Sequence, residues 1–240
     1  MKVTSCSSQH LVVKNDRRIF VDHLEGQTNP ILAEKGKSLY EYCSKMGHEF
    51  IRYDPEGFGE SKFSNPEKWR NIEFRHWFED CEAAMGVSQS SRFILVGSSM
   101  GGWISLLASQ KHAQRIAGLV LIAPAQNFIT RMVEEGRNMI EDPLILSLVD
   151  QKSFARKSRE LPISLKPDSN VLNVPVRILH GMKDDVIPAE SSIELIHSIK
   201  GNDTELTLIK DGDHMLNDHM NKITANLEVL MKKASLGHGL

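Results

Sequence analysis

The 240-residue sequence predicts an α/β fold, a mostly parallel central sheet flanked by helices. Apolar runs of strand length alternate with helix-period patterns, the order expected of βαβ units. The run Arg92-Phe93-Ile94-Leu95-Val96 leads through Gly97-Ser98-Ser99-Met100-Gly101 into an apolar helical pattern, so a strand meets a helix at a serine. A 40% apolar fraction over this length suffices for a single domain with a substantial core, residues 1–240.

Leu11 to Lys14 and Arg18 to Asp22 read as a leading pair of strands. Glu34 to Met46 reads as a helix with Leu39, Tyr42, Cys43 and Met46 on one face and Gly47 as its stop. His48 to Tyr53 is a strand. Asn65-Pro66 caps the next helix, whose aromatic face carries Trp69, Trp77 and Phe78. Arg92 to Val96 is apolar enough for a fully buried strand, and Ser99 to Ser109 follows as a helix. Leu119 to Ala123, Val174 to Leu179 and Glu205 to Ile209 are further strands. Ile193 to Ile199 and Ile223 to Met231 are amphipathic helices. Between about 125 and 173 the pattern lapses into short helical pieces, a cap-like insertion that either covers a site or decorates the fold.

Composition excludes several function classes. The charged fraction is 25% and the formal net charge is −2, so nothing points to the basic face that neutralising phosphates needs, and no nucleic-acid partner is expected. Lys232-Lys233 reads as a solvated helix end. Cys6, Cys43 and Cys81 show no C-x-x-C spacing, which argues against a zinc site or redox pair. Cys43 and Cys81 lie among apolar residues and read as buried reduced thiols, as in a reducing compartment. No apolar run approaches the ~18 residues of a membrane span. Met1 to Asn15 lacks acidic residues but also lacks arginine, and reads as an ordinary terminus rather than a transit remnant.

Gly97-Ser98-Ser99-Met100-Gly101 fits G-x-S-x-G, a pattern that chance alone produces in about one chain in ten of this size. Its position between a strand and a helix gives it weight. A nucleophile elbow needs a tight turn, and Gly97 and Gly101 leave room for neighbouring backbone. The helix N-terminus that follows offers N–H groups to a developing oxyanion. Ser98 is out of register, because Val96 and Met100 stand where its glycines would be.

A serine hydroxyl needs a base, and the base needs an orienting acid. His214 stands just past the strand 205–209, where a parallel sheet places its functional loops. His112 and His197 read as surface helix residues, His180 as structural, His219 as the start of the last helix and His238 as tail. Asp184 and Asp185 compete for the acid. A carboxylate that points back over the sheet comes early in its turn, which favours Asp184.

Four pieces in order resemble the α/β-hydrolases across roughly 17–232. They are Asp54-Pro55-Glu56-Gly57-Phe58-Gly59-Glu60-Ser61, the elbow at Ser99, His180-Gly181-Met182-Lys183-Asp184-Asp185-Val186-Ile187-Pro188, and Gly212-Asp213-His214. More narrowly, the elbow with Gly102-Trp103 and the run His180 to Asp185 resemble a mitochondrial branch of that family, whose members act on palmitoyl-protein thioesters and acyl glucuronides. The resemblance implies a relay of Ser99, Asp184 and His214, an oxyanion N–H from Met100, a mitochondrial location, and no cofactor or metal. The implied partner is an ester or thioester substrate, either a small molecule or an acylated protein.

The sequence departs from the family at one place. There an apolar strand and a glycine-containing loop stand before the first helix and supply a second oxyanion N–H. Here Glu25-Gly26-Gln27-Thr28-Asn29-Pro30-Ile31-Leu32-Ala33 runs almost directly into the helix. A segment on the order of a dozen residues is missing near Pro30 by this comparison. Its loss leaves neighbouring strands unpaired and one oxyanion donor short, which typically costs ~10²–10³ in rate. Two expectations compete: an ester or thioester hydrolase, or an inactive variant that is at most a binding scaffold. A haloalkane dehalogenase is disfavoured, because it needs an aspartate where Ser99 stands.

Overall fold

The computed structural model describes residues 6–12, 17–24, 34–137 and 143–236. In chain order its first elements are β1 (Cys6–Val12), β2 (Arg18–Leu24), α1 (Glu34–Lys45), β3 (Phe50–Asp54), α2 (Phe74–Met85), β4 (Phe93–Ser98), α3 (Met100–Lys111) and β5 (Ile116–Ile122). Then come α4 (Phe128–Glu134), α5 (Pro143–Leu148), α6 (Gln151–Ser158), β6 (Asn170–Val171), β7 (Val176–Gly181), α7 (Glu190–Ser198), β8 (Ile199–Lys200), β9 (Thr204–Ile209) and α8 (Met220–Leu236). These gather into two compact units, one from positions 1–89 and 132–158, the other from 90–131 and 159–240. The insertion expected over 125–173 is therefore shared between them.

In the first unit β1, β2 and β3 form an antiparallel sheet in that order. α1 buries Leu39 and Cys43 as its periodicity predicts, together with Tyr40. Met46 departs from the expectation: it lies beyond the helix and is 50% exposed, because the chain turns away at Gly47 with φ +72°. The single aromatic helix expected after Asn65-Pro66 is two pieces. Asn65 Oδ1 accepts the Glu67 N–H at 3.0 Å and opens a 3-10 turn over Pro66–Asn71. Ile72 is extended, and α2 begins only at Phe74. The extended residue redirects the chain while Trp69, Trp77 and Phe78 all stay buried. Within this unit α6 packs on α2, with the Phe154 and Trp77 rings 5.2 Å apart and Lys157 paired with Glu73.

The second unit is built on a parallel sheet of order β4-β5-β7-β9. Its register sets Ser98 beside Ile122, Ile122 beside Leu179, and Gly181 beside Ile209. The carboxyl ends of the four strands thus share one edge. β5 is the wholly buried centre. α8 lies so close over it that a methyl group on Gly118 would stand 3.1 Å from the Leu230 side chain.

The expectation that the strand after Arg92 is fully buried is corrected: Phe93 to Val96 are all partly exposed. Among the described residues β4 pairs with β5 alone and β3 with β2 alone, so each ends its own sheet. An apolar run marks a strand whose two faces are covered, and it carries no information about what covers the strand's second edge. The stretch around Pro30, where a strand was expected to be missing, lies outside the described residues.

Candidate active site

Ser99 sits directly past β4 with φ +52° and ψ −119°, a conformation that costs a non-glycine residue on the order of 1–3 kcal/mol. Three backbone hydrogen bonds hold it there. The Ser99 N–H donates to the Ile122 carbonyl at 2.8 Å, and the Ser99 carbonyl accepts from Gly102 N–H at 2.9 Å and Ala125 N–H at 3.0 Å. The bend is therefore tied to the end of β5 as well as to α3. Met100 is the first residue of α3, so its N–H belongs to the turn that has no intrahelical carbonyl to serve.

The glycines of the bend divide unequally. A methyl group on Gly97 would strike the Gly101 carbonyl and stand 2.5 Å from Ser105 Oγ. At Gly101 it would meet nothing within 4 Å, which corrects the expectation that this glycine makes room for backbone. The crowded position is Gly102, where the same group would lie 2.7 Å from Pro124 Cβ. The helix packs against the β5 exit loop through that position.

Asp184 and His214 come from the loops after β7 and β9. His214 Nδ1 lies 2.7 Å from Asp184 Oδ2. The other oxygen, Oδ1, accepts the N–H groups of Val186 at 2.9 Å and Ile187 at 2.8 Å. The Asp184 side chain has no exposed surface. Burial opposes its charge, but hydrogen bonds from His180, His214 and the Ile187 N–H outweigh burial and hold the carboxyl well below its ordinary range. An ionised carboxylate only accepts, so His214 donates its Nδ1 proton to Asp184, and in the neutral ring that tautomer leaves the Nε2 lone pair to act as a base. Asp185 is exposed.

The two loops meet through backbone, with Gly181 lying against Gly212. Lys183 N–H donates to the Gly212 carbonyl at 2.9 Å, and Met182 N–H to the Ile209 carbonyl at 2.8 Å. Ser99 joins the same strand-end edge through β4 and β5, although among the described residues no hydrogen bond links its Oγ to His214. Such bonds often tighten only with substrate.

Two groups at this edge were not anticipated as site residues. His180 is fully buried, with Nε2 3.2 Å from Asp184 Oδ2. The available signal was a polar residue ending an apolar strand four positions before the acid. Gln126, buried in the loop after β5, donates from Nε2 to the Ser191 carbonyl at 2.9 Å and ties that loop to α7. No pattern in the sequence marks it. Trp103, adjacent to the elbow, is core: it is buried and its indole N–H donates to the Leu161 carbonyl at 3.0 Å. Cys43 and Cys81 are buried free thiols, pushed up by burial to about 11 and about 12. No group of side chains suited to hold a metal ion occurs among the described residues. No helix among them is long and apolar enough to cross a membrane.

A family model described as serine aminopeptidase, S33, matches residues 33–131 and 125–219. The chain belongs to that family. This S33-family chain is 26% identical over 198 residues to palmitoyl-protein thioesterase ABHD10, mitochondrial, of Homo sapiens, covering 77% of the chain. It spans 63% of that relative's length. The Rattus norvegicus protein of the same name is 27% identical over 244 residues, with 96% of this chain and 77% of that protein covered. The solved structure of alpha/beta hydrolase domain-containing protein 10 from mouse superposes with a TM-score of 0.77 at 24% identity, over 95% of this chain and 99% of that one. A putative hydrolase from Agrobacterium vitis S4 gives the same TM-score at 22% identity, over 94% and 99%. The fold is that of the α/β hydrolases, and the narrower resemblance read from the sequence points to the same relatives.

Proposed function

We propose that the chain hydrolyses carboxylic esters or thioesters, of the acyl-protein thioesterase or acyl-glucuronide esterase type, with Ser99 as nucleophile. His214 Nε2 takes the Ser99 proton as Oγ attacks the acyl carbonyl, and returns it to the leaving alcohol or thiol. Asp184 keeps the His214 proton on Nδ1 and stabilises the imidazolium that forms. Met100 N–H donates to the oxyanion. Water then releases the acyl group by the same path. The observation that carries this reading is the 2.7 Å contact of His214 Nδ1 with Asp184 Oδ2, on the strand-end edge where β4 delivers Ser99. The similarity to proteins named mitochondrial supports a mitochondrial location.

A fluorophosphonate probe tests it. Wild type should be labelled, Ser99→Ala should not, and p-nitrophenyl ester turnover should follow the labelling. The second reading, an inactive scaffold, is favoured by β3 and β4 each lacking a second strand partner among the described residues. A chain that melts cooperatively yet neither labels nor turns over ester would establish that reading and end the first.

A further inference from the structure

The Asp184 carboxylate has room for about four hydrogen-bond donors, and four N–H groups surround it. Val186 and Ile187 take Oδ1, His214 and His180 take Oδ2. His180 is the group the proposed relay leaves unused. Its Nε2 also lies 3.0 Å from the Ile187 carbonyl. Both neighbours of Nε2 are pure acceptors, so Nε2 carries the proton. Its Nδ1 stands 2.7 Å from Ser192 Oγ, a fully buried hydroxyl at the start of α7. A neutral ring with Ser192 donating to Nδ1 satisfies every atom.

We propose that His180 is a positioning residue that sets how strongly Asp184 holds His214, an inference that rests on the hydrolytic reading above. By sharing Oδ2, His180 draws charge away from the Nδ1–H of His214. The sharing weakens the grip of Asp184 on an imidazolium relative to a neutral His214 ring. Ser192 fixes the ring plane that makes the sharing possible. The other charged groups of the two loops act elsewhere. Asp213 Oδ1 accepts the Leu216 N–H at 2.7 Å, Asp211 faces His219 at 3.6 Å, and Lys183 and Asp185 are exposed.

The test compares His180→Leu, which removes both nitrogens, with His180→Gln, which returns an N–H at the reach of Nε2. Ser192→Ala serves as a milder probe. In His180→Leu the acid limb of the kcat/KM–pH profile should move up by about one pH unit, lowering kcat/KM about tenfold on that limb. Ser192→Ala should move it the same way by less, and His180→Gln should restore it. The downfield Nδ1–H proton resonance of His214, assigned by its loss in His214→Ala, should move further downfield in His180→Leu and return in His180→Gln. Lost stability with an unmoved limb and an unmoved resonance would make His180 merely structural and overturn the proposal. If wild type shows no Ser99-dependent turnover, the hydrolytic reading fails on its own and the resonance still decides the role of His180. If His180→Leu does not fold, Ser192→Ala and His180→Gln decide it.

Discussion

Gly181 lies against Gly212, so that a methyl group on Gly181 would strike the Gly212 carbonyl and come within 2.5 Å of the Asp213 carbonyl. Both obstacles are backbone of the loop that carries His214. The pairing of Asp184 with His214 therefore depends on an absent side chain two strands away from Ser99. Gly181→Ala should displace the His214 loop by a fraction of an ångström or more. We expect about 1–3 kcal/mol lost in urea unfolding and about 10²-fold lost in ester turnover. A variant that melts lower but turns over normally would show that the loops accommodate the methyl without moving His214.

The two adjacent aspartates make a direct test. Asp184→Asn removes the charge that fixes the His214 tautomer and should lower kcat by about 10⁴. Asp185→Asn, at an exposed carboxylate, should leave kcat within about twofold, since surface substitutions seldom matter. Stability adds an independent check. The Asp184 carboxyl is held below its ordinary range, so its contribution is complete above an unfolded value of about 4 and lost as pH falls further. Melting midpoints from pH 7 to pH 3 should therefore fall more steeply in wild type than in Asp184→Asn. Equal slopes would show that the carboxylate gains nothing from its four donors.

How much of this was legible follows from which patterns are local. Ser99, Asp184 and His214 each follow an apolar strand within a few residues, so parallel pairing alone brings their loops to one edge. Asp184 could be preferred to Asp185 because position in the turn decides which carboxylate points inward. The exposure of Phe93 to Val96 was not legible, because it depends on what pairs with the second edge of β4. Nor was the break at Ile72, where the aromatic pattern continues across two helical pieces separated by extended backbone. His180 reads as a strand-end residue until its distance to Asp184 is known. Gly102 reads as an ordinary helix position until Pro124 is seen against it.

That last contact separates two neighbouring glycines. Gly101→Ala places its methyl in open space within α3 and should raise stability by up to about 1 kcal/mol through helix propensity. Gly102→Ala places it 2.9 Å from Pro124 Cα, backbone that must move, and should cost about 1–3 kcal/mol. Chemical unfolding of the two variants checks the order. The reverse order would mean that the elbow motif's own glycine, not its neighbour, carries the steric constraint.

In the first unit one arginine serves three carboxylates. Arg17 donates to Glu56 at 3.1 Å, Asp80 at 2.9 Å and Glu79 at 2.6 Å, and the Asp80 side chain has no exposed surface. Burial pushes Asp80 up to about 6, and the neighbouring Glu56 charge adds to it, against the Glu56 N–H and Arg17, which favour ionisation. An unfolded aspartate titrates near 4. The folded chain therefore binds this proton more readily than the unfolded chain, and the stability it contributes is complete below about 4 and lost as pH rises through about 6. Between pH 7 and pH 5 acidification should raise the melting midpoint more in wild type than in Asp80→Asn. Comparing slopes within each protein cancels whatever the amide itself costs beside Arg17. Identical slopes would mean that Arg17 keeps Asp80 ionised across the whole range and that burial does not decide its state.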